Sequence, residues 1–337
     1  MLMLRPSRLS DIAAVERIAA ASPVGMTSLP VNRETLYRKI QASLDSLAAD
    51  VRFHGEESYF FVLEDGESGE VVGCSGIVAS AGFNEPFYNY RNETIVHASA
   101  ELGIHNRIHA LSLCHDLTGN TLLVAFYIEP RAARGAGADL LSRGRFLFIA
   151  NHPQRFAERI VAEMMGLTRA DGSSPFWDSV GRRFFGIDYQ EAELHCGVRG
   201  RTFIAELLPQ HPLYVPLLSD EAQAAIGQVN PAHEVAFEVL MREGFETDHY
   251  IDIFDGGPTL HARTDSIRTI ARSRLLKTRR GRQRAGVPHL IANTRLSEFR
   301  CLITDLAPPV RDEIELAPTL IERLLLEDGD LVRIAPL

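Results

Sequence analysis

Hydrophobic residues at the start of the chain follow first the period of a strand and then that of helices. A short apolar run at the N terminus predicts a strand, and two later segments repeat apolar residues every three or four positions, as amphipathic helices do. Further on, β-branched and aromatic residues flank the turn Asp65-Gly-Glu-Ser-Gly69, which indicates a hairpin. We therefore predict a strand at 2–5, helices at 11–21 and about 36–47, and hairpin strands at 59–64 and 70–79.

The middle of the chain contains an uninterrupted apolar strand that leads into a glycine-bearing turn and a helix. The strand runs from Leu122 to Ile128, Glu129-Pro130 ends it, and the helix is expected from about Gly137 to Ala150. The predicted order up to this helix is β-α-α-β-β-β-α. Beyond it we expect strands at 160–165, 203–206 and 248–254, and a helix at 234–243 that Gly244 closes.

A change of composition near the C terminus predicts a second unit. Eight arginine and lysine residues fall between Arg268 and Arg284, and short alternating strands follow at 289–293, 299–305 and 331–334. The commonest explanation of such a basic stretch is a solvated linker helix. We predict an α+β fold with a main domain at 1–265, a basic linker at 266–285 and a small, all-β, barrel-like subdomain at 286–337.

Composition and charge narrow the class of protein. With 45% hydrophobic and 23% charged residues the chain has the balance of a globular protein. Its formal charge of −9 argues against nucleic-acid binding, which relies on neutralising phosphates. Four well-separated cysteines without a C-x-x-C pair indicate a reduced, cytoplasmic protein. We expect neither a signal peptide, because the N terminus becomes polar at once, nor a membrane span, because no apolar run is long enough.

The turn Arg134-Gly-Ala-Gly-Ala138 carries the clearest candidate chemistry. Glycines let a backbone approach a ligand closely, and the first N–H groups of the following helix, together with its dipole, favour a pyrophosphate. Arg134 adds a cation beside them. A plain strand–turn–helix connection, whose glycines only permit tight packing, explains the spacing equally well. A Rossmann turn fits less well, because the full G-x-G-x-x-G is missing.

Two other groups of reactive side chains are set aside because of their surroundings. His105 and His109 lie near Cys114 and His115, but a zinc site needs three or four ligands at a fixed spacing, so we expect no metal. Cys74 and Cys114 lie in apolar runs in which a buried, unreactive thiol is usual, so neither is expected to act as a nucleophile.

The glycine turn resembles the acyl-CoA turn of the GNAT superfamily of N-acetyltransferases, [Q/R]-x-x-G-x-[G/A]. Gly135 and Gly137 match its small positions, whereas Ala132 stands where glutamine or arginine is usual. The later superfamily signature A-x-x-L-[YL]-x-x-x-G-F is echoed by residues 236–245. The resemblance implies a GNAT-like fold in which the pantetheine arm of CoA lies along the backbone of Phe126, Tyr127 and Ile128. It also implies that the pyrophosphate is held by Arg134, Gly135, Ala136, Gly137 and Ala138.

Longer blocks with a family resemblance are spread over nearly the whole chain: Thr27-Ser-Leu-Pro30, Phe61-Val-Leu-Glu-Asp65, Val96-His-Ala-Ser99, His115-Asp-Leu-Thr-Gly119, Ser174-Pro-Phe-Trp177, Phe203-Ile-Ala-Glu-Leu207 and Tyr250-Ile-Asp-Ile-Phe-Asp-Gly-Gly-Pro-Thr259. Together they resemble the arginine N-succinyltransferase family, and phrases such as Gly55-Glu-Glu-Ser-Tyr-Phe-Phe61 are most similar to the alpha subunit of its two-subunit arginine/ornithine form. The resemblance implies succinyl-CoA as donor, L-arginine and by extension L-ornithine as acceptor, and N2-succinyl-L-arginine as product in arginine catabolism. It also implies assembly with a homologous beta subunit or as a homo-oligomer.

The acid–base histidine of that family lies in a Gly-Gln-Val-His-Pro sequence, which here is Gly227-Gln-Val-Asn-Pro231. Asn230 cannot titrate, although it can still donate a hydrogen bond. His233, one turn further on, is the candidate substitute, and water is the other route for the proton. A plain exposed histidine near a helix start explains His233 as well. The catalytic competence of the chain is therefore open, while the substrate class is less affected.

Glu85, Arg91 and Glu93 are the candidate substrate-binding residues, because they lie among aromatic residues in one predicted loop. Recognition of arginine needs carboxylates for the guanidinium group and a cation for the carboxylate of the amino acid. The loop from Ser22 to Pro30 corresponds to the acceptor lid of the superfamily.

The sequence leaves three functional hypotheses. The leading one is an enzyme subunit that transfers succinyl from succinyl-CoA to the α-amine of arginine. The second is a non-catalytic scaffold for an active beta subunit, which Asn230 favours and the retained glycine turn opposes. The third is another CoA-dependent acyltransferase with a different acceptor.

Overall fold

One mixed β-sheet runs through the part of the chain that the structure describes. The computed structural model describes residues 1–23, 26–199, 206–282, 286–310 and 312–337. The strands are β1 Leu2–Pro6, β2 Ser58–Asp65, β3 Val71–Val78, β4 Asn89–Ser99, β5 Ile104–Cys114, β6 Thr121–Ile128, β7 Arg159–Glu163, β8 Leu213–Tyr214, β9 Glu246–Ile251, β10 Pro258–Arg263, β11 Arg274–Arg280, β12 Val287–Asn293, β13 Cys301–Leu306, β14 Glu313–Leu316 and β15 Leu331–Pro336. Their order in the sheet is β14-β11-β15-β12-β13-β1-β2-β3-β6-β7-β10-β9-β4-β5-β8.

The helices of the same residues connect these strands, so the expected α+β class is confirmed. They are α1 Ile12–Ala21, α2 Arg33–Ala48, α3 Pro130–Ala133, α4 Gly137–Asn151, α5 Pro175–Ser179, α6 Gly181–Phe185, α7 Tyr189–Arg199, α8 Asp220–Ala225, α9 Glu234–Arg242, α10 Arg268–Arg272 and α11 Pro318–Arg323. No helix of the described ranges is both long enough and apolar enough to span a membrane.

Helix α4 is buried along almost its whole length and forms the centre of the main hydrophobic core. It contacts β1, β3, β6, β12, β13 and β15, so residues from both ends of the sequence pack around it. Gly144 permits one of the closest contacts, because a Cβ atom there would lie 2.5 Å from Leu4 Cδ2. Phe148 forms an aromatic cluster, with ring centroids 5.2 Å from Tyr59, 5.0 Å from Phe61 and 5.1 Å from Phe299.

The N-terminal strand joins the two halves of the sheet. Met3 pairs with Leu302 and Leu4 with Cys301, while the other edge of β1 pairs with β2 over five positions. The strands near the C terminus therefore continue the same sheet through β13, and Phe299 and Cys301 belong to the same core cluster as Leu4. The predicted domain limits at 265 and 285 stay a prediction.

Most of the predicted elements in the N-terminal part are confirmed, but the order β-α-α-β-β-β-α is wrong. A hairpin of two eleven-residue strands, β4 and β5, intervenes between β3 and β6. Strand β4 of this hairpin has no apolar run, because much of the hairpin is exposed. Its sequence is Asn-Tyr-Arg-Asn-Glu-Thr-Ile-Val-His-Ala-Ser. Cross-strand hydrogen bonds, which leave no hydrophobic pattern, stabilise it. The predicted strand at 203–206 lies outside the described residues, apart from Glu206.

The basic stretch is not a solvated linker helix. Of its described residues, only Arg268–Arg272 is helical, and Arg274–Arg280 is strand β11, which lies between β14 and β15. Leu276 and Thr278 are buried in this strand, whereas its arginines are exposed. The sequence does not show this alternation, because its two leucines are adjacent and charged residues occupy most of the other positions. Beyond it, the predicted strands β12, β13 and β15 are confirmed, and helix α11 lies among them.

We expect Phe148→Ala to lower the free energy of unfolding by about 3–5 kcal/mol, because it empties the centre of the aromatic cluster. Urea denaturation followed by circular dichroism measures the change. Phe53→Ala is the matched control: this phenylalanine is 87% exposed, so its loss should change stability by less than about 0.5 kcal/mol. Equal effects of the two substitutions would contradict the central role of Phe148.

Candidate functional site

Strands β6 and β7 lie side by side and parallel, but the pairing covers only the first three residues of β6. Thr121, Leu122 and Leu123 pair with Ile160, Val161 and Ala162, and the pairing then ends. From residue 124 to 128 the described residues give β6 a strand partner only on its other side, where β3 lies. Ala125 has a φ of 54° and coincides with a register shift against β3, so β6 bulges where it leaves β7. The backbone of β6 thus has an open edge inside the sheet.

The opening between the two strands is a cleft with a volume of about 120 Å³. Its walls come from β6, from the end of β7, from α4, α7 and α9, and from the segment after β9. It is lined by Met26, Thr27, Ser28, Leu122, Leu123, Val124, Ala125, Phe126, Ser142, Arg145, Ala162, Glu163, Met164, Met165, Glu193, His233, Ala236, Leu240, Asp252, Phe254 and Asp255. Phe126 is the one member of the predicted 126–128 segment among these described lining residues.

The loop predicted as a lid does reach the cleft. Met26, Thr27 and Ser28 line it, and Ser28 Oγ accepts a hydrogen bond of 3.0 Å from the N–H of Ala125. This contact pins the loop to the bulge of β6. Residues 24–25 of the predicted loop lie outside the described residues.

The glycine turn lies between the C-terminal end of β6 and the start of α4. Gly135 has a φ of 88° and faces open space, because a Cβ atom there would meet nothing within 4 Å. No described residue accepts a hydrogen bond from the N–H groups of Gly137, Ala138 or Asp139 in the first turn of α4. Arg134 is exposed and forms no ion pair with a described residue. Free N–H groups, a helix dipole and a cation together suit an anion.

Gly137 has a packing role, as the explanation of the turn as a plain strand–turn–helix connection predicts. A Cβ atom at this position would lie 2.1 Å from the carbonyl oxygen of Ala132 in α3. The second glycine is therefore required for α3 and α4 to meet, whereas the first is required by its positive φ.

Four carboxylates line the side of the cleft formed by β7, α7 and the segment after β9, and we call them the acidic wall: Glu163, Glu193, Asp252 and Asp255. Asn89 Nδ2 donates to Glu163 Oε1 over 3.1 Å. Asp255 accepts from the N–H groups of Gly166 at 2.7 Å and Gly257 at 2.8 Å. Burial, and then the neighbouring Asp252, raise the pKa of Asp255. The acidic wall is suited to a cationic ligand.

Arg145 is the sole arginine or lysine among the described lining residues, and it projects from α4. It is 2% exposed, and burial lowers the pKa of its guanidinium to about 9. Its nitrogens donate to the carbonyls of Ser142 and Gly76 and to Ser142 Oγ, each over 3.2 Å. Its guanidinium carbon lies 5.8 Å from the centre of the Phe126 ring.

His233 lines the cleft as a neutral imidazole. The residue is partly exposed, yet neither ring nitrogen is accessible, and neither has a hydrogen-bond partner among the described residues. Burial lowers the pKa of His233 to about 4. The ring is therefore unprotonated at neutral pH, the form that accepts a proton. The ring nitrogens of His233 are buried, which differs from the alternative explanation of a plain exposed histidine.

Asn230 is occupied by structural hydrogen bonds. Its Oδ1 accepts from the N–H of Ala232 at 3.0 Å and so caps the short 3-10 turn of residues 231–233. Its Nδ2 donates to the Gly166 carbonyl and to Thr168 Oγ1, each over 3.2 Å. It is absent from the described lining of the cleft. A catalytic role of Asn230 stays a prediction.

The structure places Glu85, Arg91 and Glu93 away from the cleft. Arg91 pairs with Glu93 at 3.0 Å and with Asp116 at 2.7 Å, and Ser112 donates to Glu93 on the same hairpin. Glu85 lines a second cavity, which shares the lining residue Leu122 with the cleft. The sequence grouped the three residues in one predicted loop, whereas Arg91 and Glu93 lie on strand β4. Their substrate-binding role stays a prediction.

Cys74 is completely buried, and burial raises the pKa of its thiol to about 12, so it is not a thiolate nucleophile at neutral pH. Burial also raises the pKa of Cys114. The described ranges contain no group of three or more histidine, cysteine or acidic side chains placed to hold a metal ion.

Sequence reasoning missed the acidic wall and Arg145. Asp252 and Asp255 were present in the segment Tyr250-Ile-Asp-Ile-Phe-Asp-Gly-Gly, where two acids beside two glycines signal a tight buried turn. Arg145 lies in the middle of an apolar helix, which is itself a signal, because an unpaired arginine is rarely buried. No sequence pattern marked Glu163 as a site residue, because only the position of strand β7 in the fold brings it to the cleft.

Known proteins and family models match this chain over nearly its whole length. Two family models match: one, described as the arginine N-succinyltransferase beta subunit, matches residues 2–269, and the other, described as the C-terminal domain of that beta subunit, matches residues 272–336. A protein of Pseudomonas aeruginosa named arginine N-succinyltransferase subunit alpha is 55% identical over 335 residues, which is 99% of each chain. The arginine N-succinyltransferase of Salmonella newport is 42% identical over 339 residues, covering 100% of this chain and 98% of the relative.

A solved structure has the same fold. It is described as arginine/ornithine succinyltransferase subunit AI from Pseudomonas aeruginosa, and it matches with a TM-score of 0.91 at 53% identity, covering 100% of this chain and 98% of that one. The α+β, acyltransferase-type fold expected from the sequence is confirmed.

The buried imidazole of His233 makes stability depend on pH. The folded protein protonates His233 only near pH 4, whereas the unfolded chain does so near pH 6.5, so lowering the pH through this interval favours unfolding. His233→Gln removes this contribution, and its stability relative to the parent should improve by up to about 3 kcal/mol between pH 7 and pH 4. Urea denaturation at several pH values measures the difference.

Comparing parent with variant is essential, because other groups titrate as well. His152 shifts in the same direction and Asp255 in the opposite one, but both are present in the two proteins and cancel from the difference. A difference that stays constant with pH would show that His233 titrates in the folded protein as it does in the unfolded chain.

Proposed function

The chain belongs to the arginine N-succinyltransferase family, and we propose that it transfers the succinyl group of succinyl-CoA to the α-amine of L-arginine, with CoA and N2-succinyl-L-arginine as products. The observation that carries the proposal is the open edge of β6, which leads from the glycine turn into a cleft with an acidic wall. An acyltransferase needs such a path for its donor and such a wall for a cationic acceptor.

The donor is held, in this proposal, by backbone groups. The pyrophosphate of CoA binds the free N–H groups at the start of α4, with Arg134 as its counter-ion. The two amides of the pantetheine arm hydrogen-bond to the unpaired edge of β6 between Val124 and Ile128. The arm then delivers the thioester to the cleft beside Phe126, whose side chain lines it.

The acceptor is held by the acidic wall. Arginine carries a guanidinium group and an α-ammonium group, and the carboxylates that line the cleft are Glu163, Glu193, Asp252 and Asp255. Glu163 is the best placed to bind the guanidinium, because it ends β7 directly opposite the open edge of β6. The relative whose structure is solved is named for arginine and ornithine, and ornithine presents the same two cationic ends.

The reaction needs one proton acceptor in the cleft. The α-amine nitrogen attacks the thioester carbon, a C–N bond forms, the C–S bond breaks, and CoA leaves as thiolate. The ammonium group loses two protons in all: one ends on the CoA sulfur and the other in solvent. We propose that His233 accepts the first proton that the ammonium group loses. Its neutral ring lines the cleft, and both ring nitrogens lack a hydrogen-bond partner among the described residues.

The protein acts, in this proposal, as an alpha-type subunit in the cytoplasm, where acyl-CoA thioesters are found. The 55% identity to a subunit named alpha supports this assignment over the beta subunit of the family description. A homologous beta subunit or a second copy completes the assembly. The outer half of the β4–β5 hairpin supports such contacts, since Val96, Leu102 and Ile104 are 53%, 71% and 45% exposed.

Gly135→Ala should raise the KM for succinyl-CoA about tenfold, because the side chain disfavours the positive φ and intrudes where the pyrophosphate binds. Thiol release from succinyl-CoA with arginine, read with a thiol reagent, measures it in the purified chain. Gly329→Ala is the matched control, since Gly329 has a φ of 92°, also faces open space, and lies far along the chain in a C-terminal turn. Binding of CoA without any turnover by the parent chain would refute the proposal and favour a scaffold.

Glu163→Gln should raise the KM for arginine ten- to a hundredfold, roughly the value of one buried charge-assisted hydrogen bond, with little change in the KM for succinyl-CoA. Glu93→Gln tests the alternative position on the β4–β5 hairpin. If arginine binds there, Glu93→Gln raises the KM and Glu163→Gln does not, and the acidic wall loses its assigned role.

A further inference from the structure

The buried arginines of the chain differ in what compensates their charge. Arg5 pairs with Asp11 and Glu64, and Arg143 pairs with Glu243 at 2.9 Å. Arg155 pairs with no described carboxylate, but it donates to the Ser46 and Ala49 carbonyls at the C-terminal end of α2, where the helix dipole is negative. Arg145 alone in this set has neither a described carboxylate nor a helix end beside it.

The hydrogen bonds that Arg145 donates to its neighbours lie at the long end of the usual range. Its three hydrogen bonds are each 3.2 Å long, whereas Arg155 has bonds of 2.7, 3.0 and 3.1 Å. A guanidinium group has five N–H donors, so two remain for a ligand. A cation buried this way is costly unless an anion reaches it. Because Arg145 lines the cleft, that anion can arrive with a substrate.

Building on the proposed function, we propose that Arg145 binds the free carboxylate of the succinyl group and thereby selects succinyl-CoA over CoA thioesters whose acyl chain ends in a methyl group. Ser142, whose hydroxyl accepts from Arg145 Nη2 and which also lines the cleft, orients the guanidinium.

The position of Arg145 assigns it to the donor and not to the acceptor. It lies on α4, the helix whose first turn faces the proposed pyrophosphate, eight residues or about 12 Å further along the helix axis. Its guanidinium contacts the ring of Phe126, where the pantetheine arm is proposed to end. The acidic wall stands on other elements, β7, α7 and the segment after β9. The anionic end of the donor and the cationic acceptor therefore meet opposite charges on different walls.

The arrangement gives selectivity by attraction and by penalty. A succinyl carboxylate gains a charge-assisted, bidentate pair in a site shielded from water. A butyryl chain has the same length but ends in a methyl group, so it leaves the buried guanidinium unpaired and loses the compensation. Together these two effects predict that butyryl-CoA has a kcat/KM at least about a hundredfold below that of succinyl-CoA.

The α-carboxylate of arginine is the other carboxylate that could reach Arg145, so the test compares donors and acceptors separately. In the donor series, succinyl-CoA is compared with butyryl-CoA. In the acceptor series, arginine is compared with argininamide, in which an amide replaces the carboxylate.

The decisive variant is Arg145→Met, which keeps the length of the side chain and removes the charge. We expect kcat/KM with succinyl-CoA to fall about a hundredfold or more, kcat/KM with butyryl-CoA to stay the same or rise, and the arginine-to-argininamide ratio to stay constant. Arg155→Met is the matched control, because it removes another buried arginine without a carboxylate partner among the described residues, away from the lining of the cleft. It should change stability without changing either ratio.

Two results would overturn the inference. One is an equal loss with succinyl-CoA and butyryl-CoA, which indicates a structural role. The other is a collapse of the arginine-to-argininamide ratio with an unchanged donor ratio, which assigns Arg145 to the acceptor. If Arg145→Met does not fold, Arg145→Lys, which keeps the charge but loses the fork, should give an intermediate donor ratio.

Failure of the proposed function would look different. In that case the parent chain would release no thiol from any donor, with or without arginine. A parent chain that used succinyl-CoA and butyryl-CoA equally well would uphold an acyltransferase but refute the role of Arg145.

Discussion

The early end of the pairing between β6 and β7 is the constraint on which the cleft depends. Neighbouring parallel strands normally satisfy each other's backbone groups, but here the ladder stops at Leu123 and Ala162 while β6 continues to Ile128. Unpaired backbone groups inside a protein are costly unless something binds them. The bulge at Ala125, the contact of Ser28 with it and the glycine turn that follows all adapt the chain to this gap. The same gap supplies the extended edge along which a substrate with amide groups can lie.

Helix α4 turns this local gap into a site with two different walls. Its first turn presents free N–H groups, its middle carries Arg145, and its apolar residues fix it in the core between strands from both ends of the sequence. The acidic wall stands on separate elements, so opposite charges face each other across the cleft without neutralising each other. The buried charge of Arg145, which has no carboxylate partner among the described residues, lowers stability, and proteins keep such a charge where a ligand supplies the partner. In the proposed reaction, the carboxylate of the succinyl group supplies this partner.

Several elements could be predicted from the sequence because their patterns are local. The amphipathic helices α1 and α2, the β2–β3 hairpin, strand β6 and the start of α4 follow from periodicity and turn residues, and the structure confirms them. The β4–β5 hairpin was missed because hydrogen bonds between strands leave no mark on the hydrophobic pattern. Strand β11 was taken for part of a linker because its arginines outnumber the two buried residues, Leu276 and Thr278, that anchor it.

The sequence by itself determined the family and the place of the turn between β6 and α4, since blocks of adjacent residues carry both. Only the tertiary structure decided which charged side chains share a cleft. Glu163, Arg145 and Asp255 come from a strand, a helix and a loop. The fold leaves the buried Arg145 without a carboxylate partner among the described residues, whereas Arg91, exposed on a hairpin, has two. Proximity and desolvation are properties of the packed chain, and no spacing along the sequence encodes them.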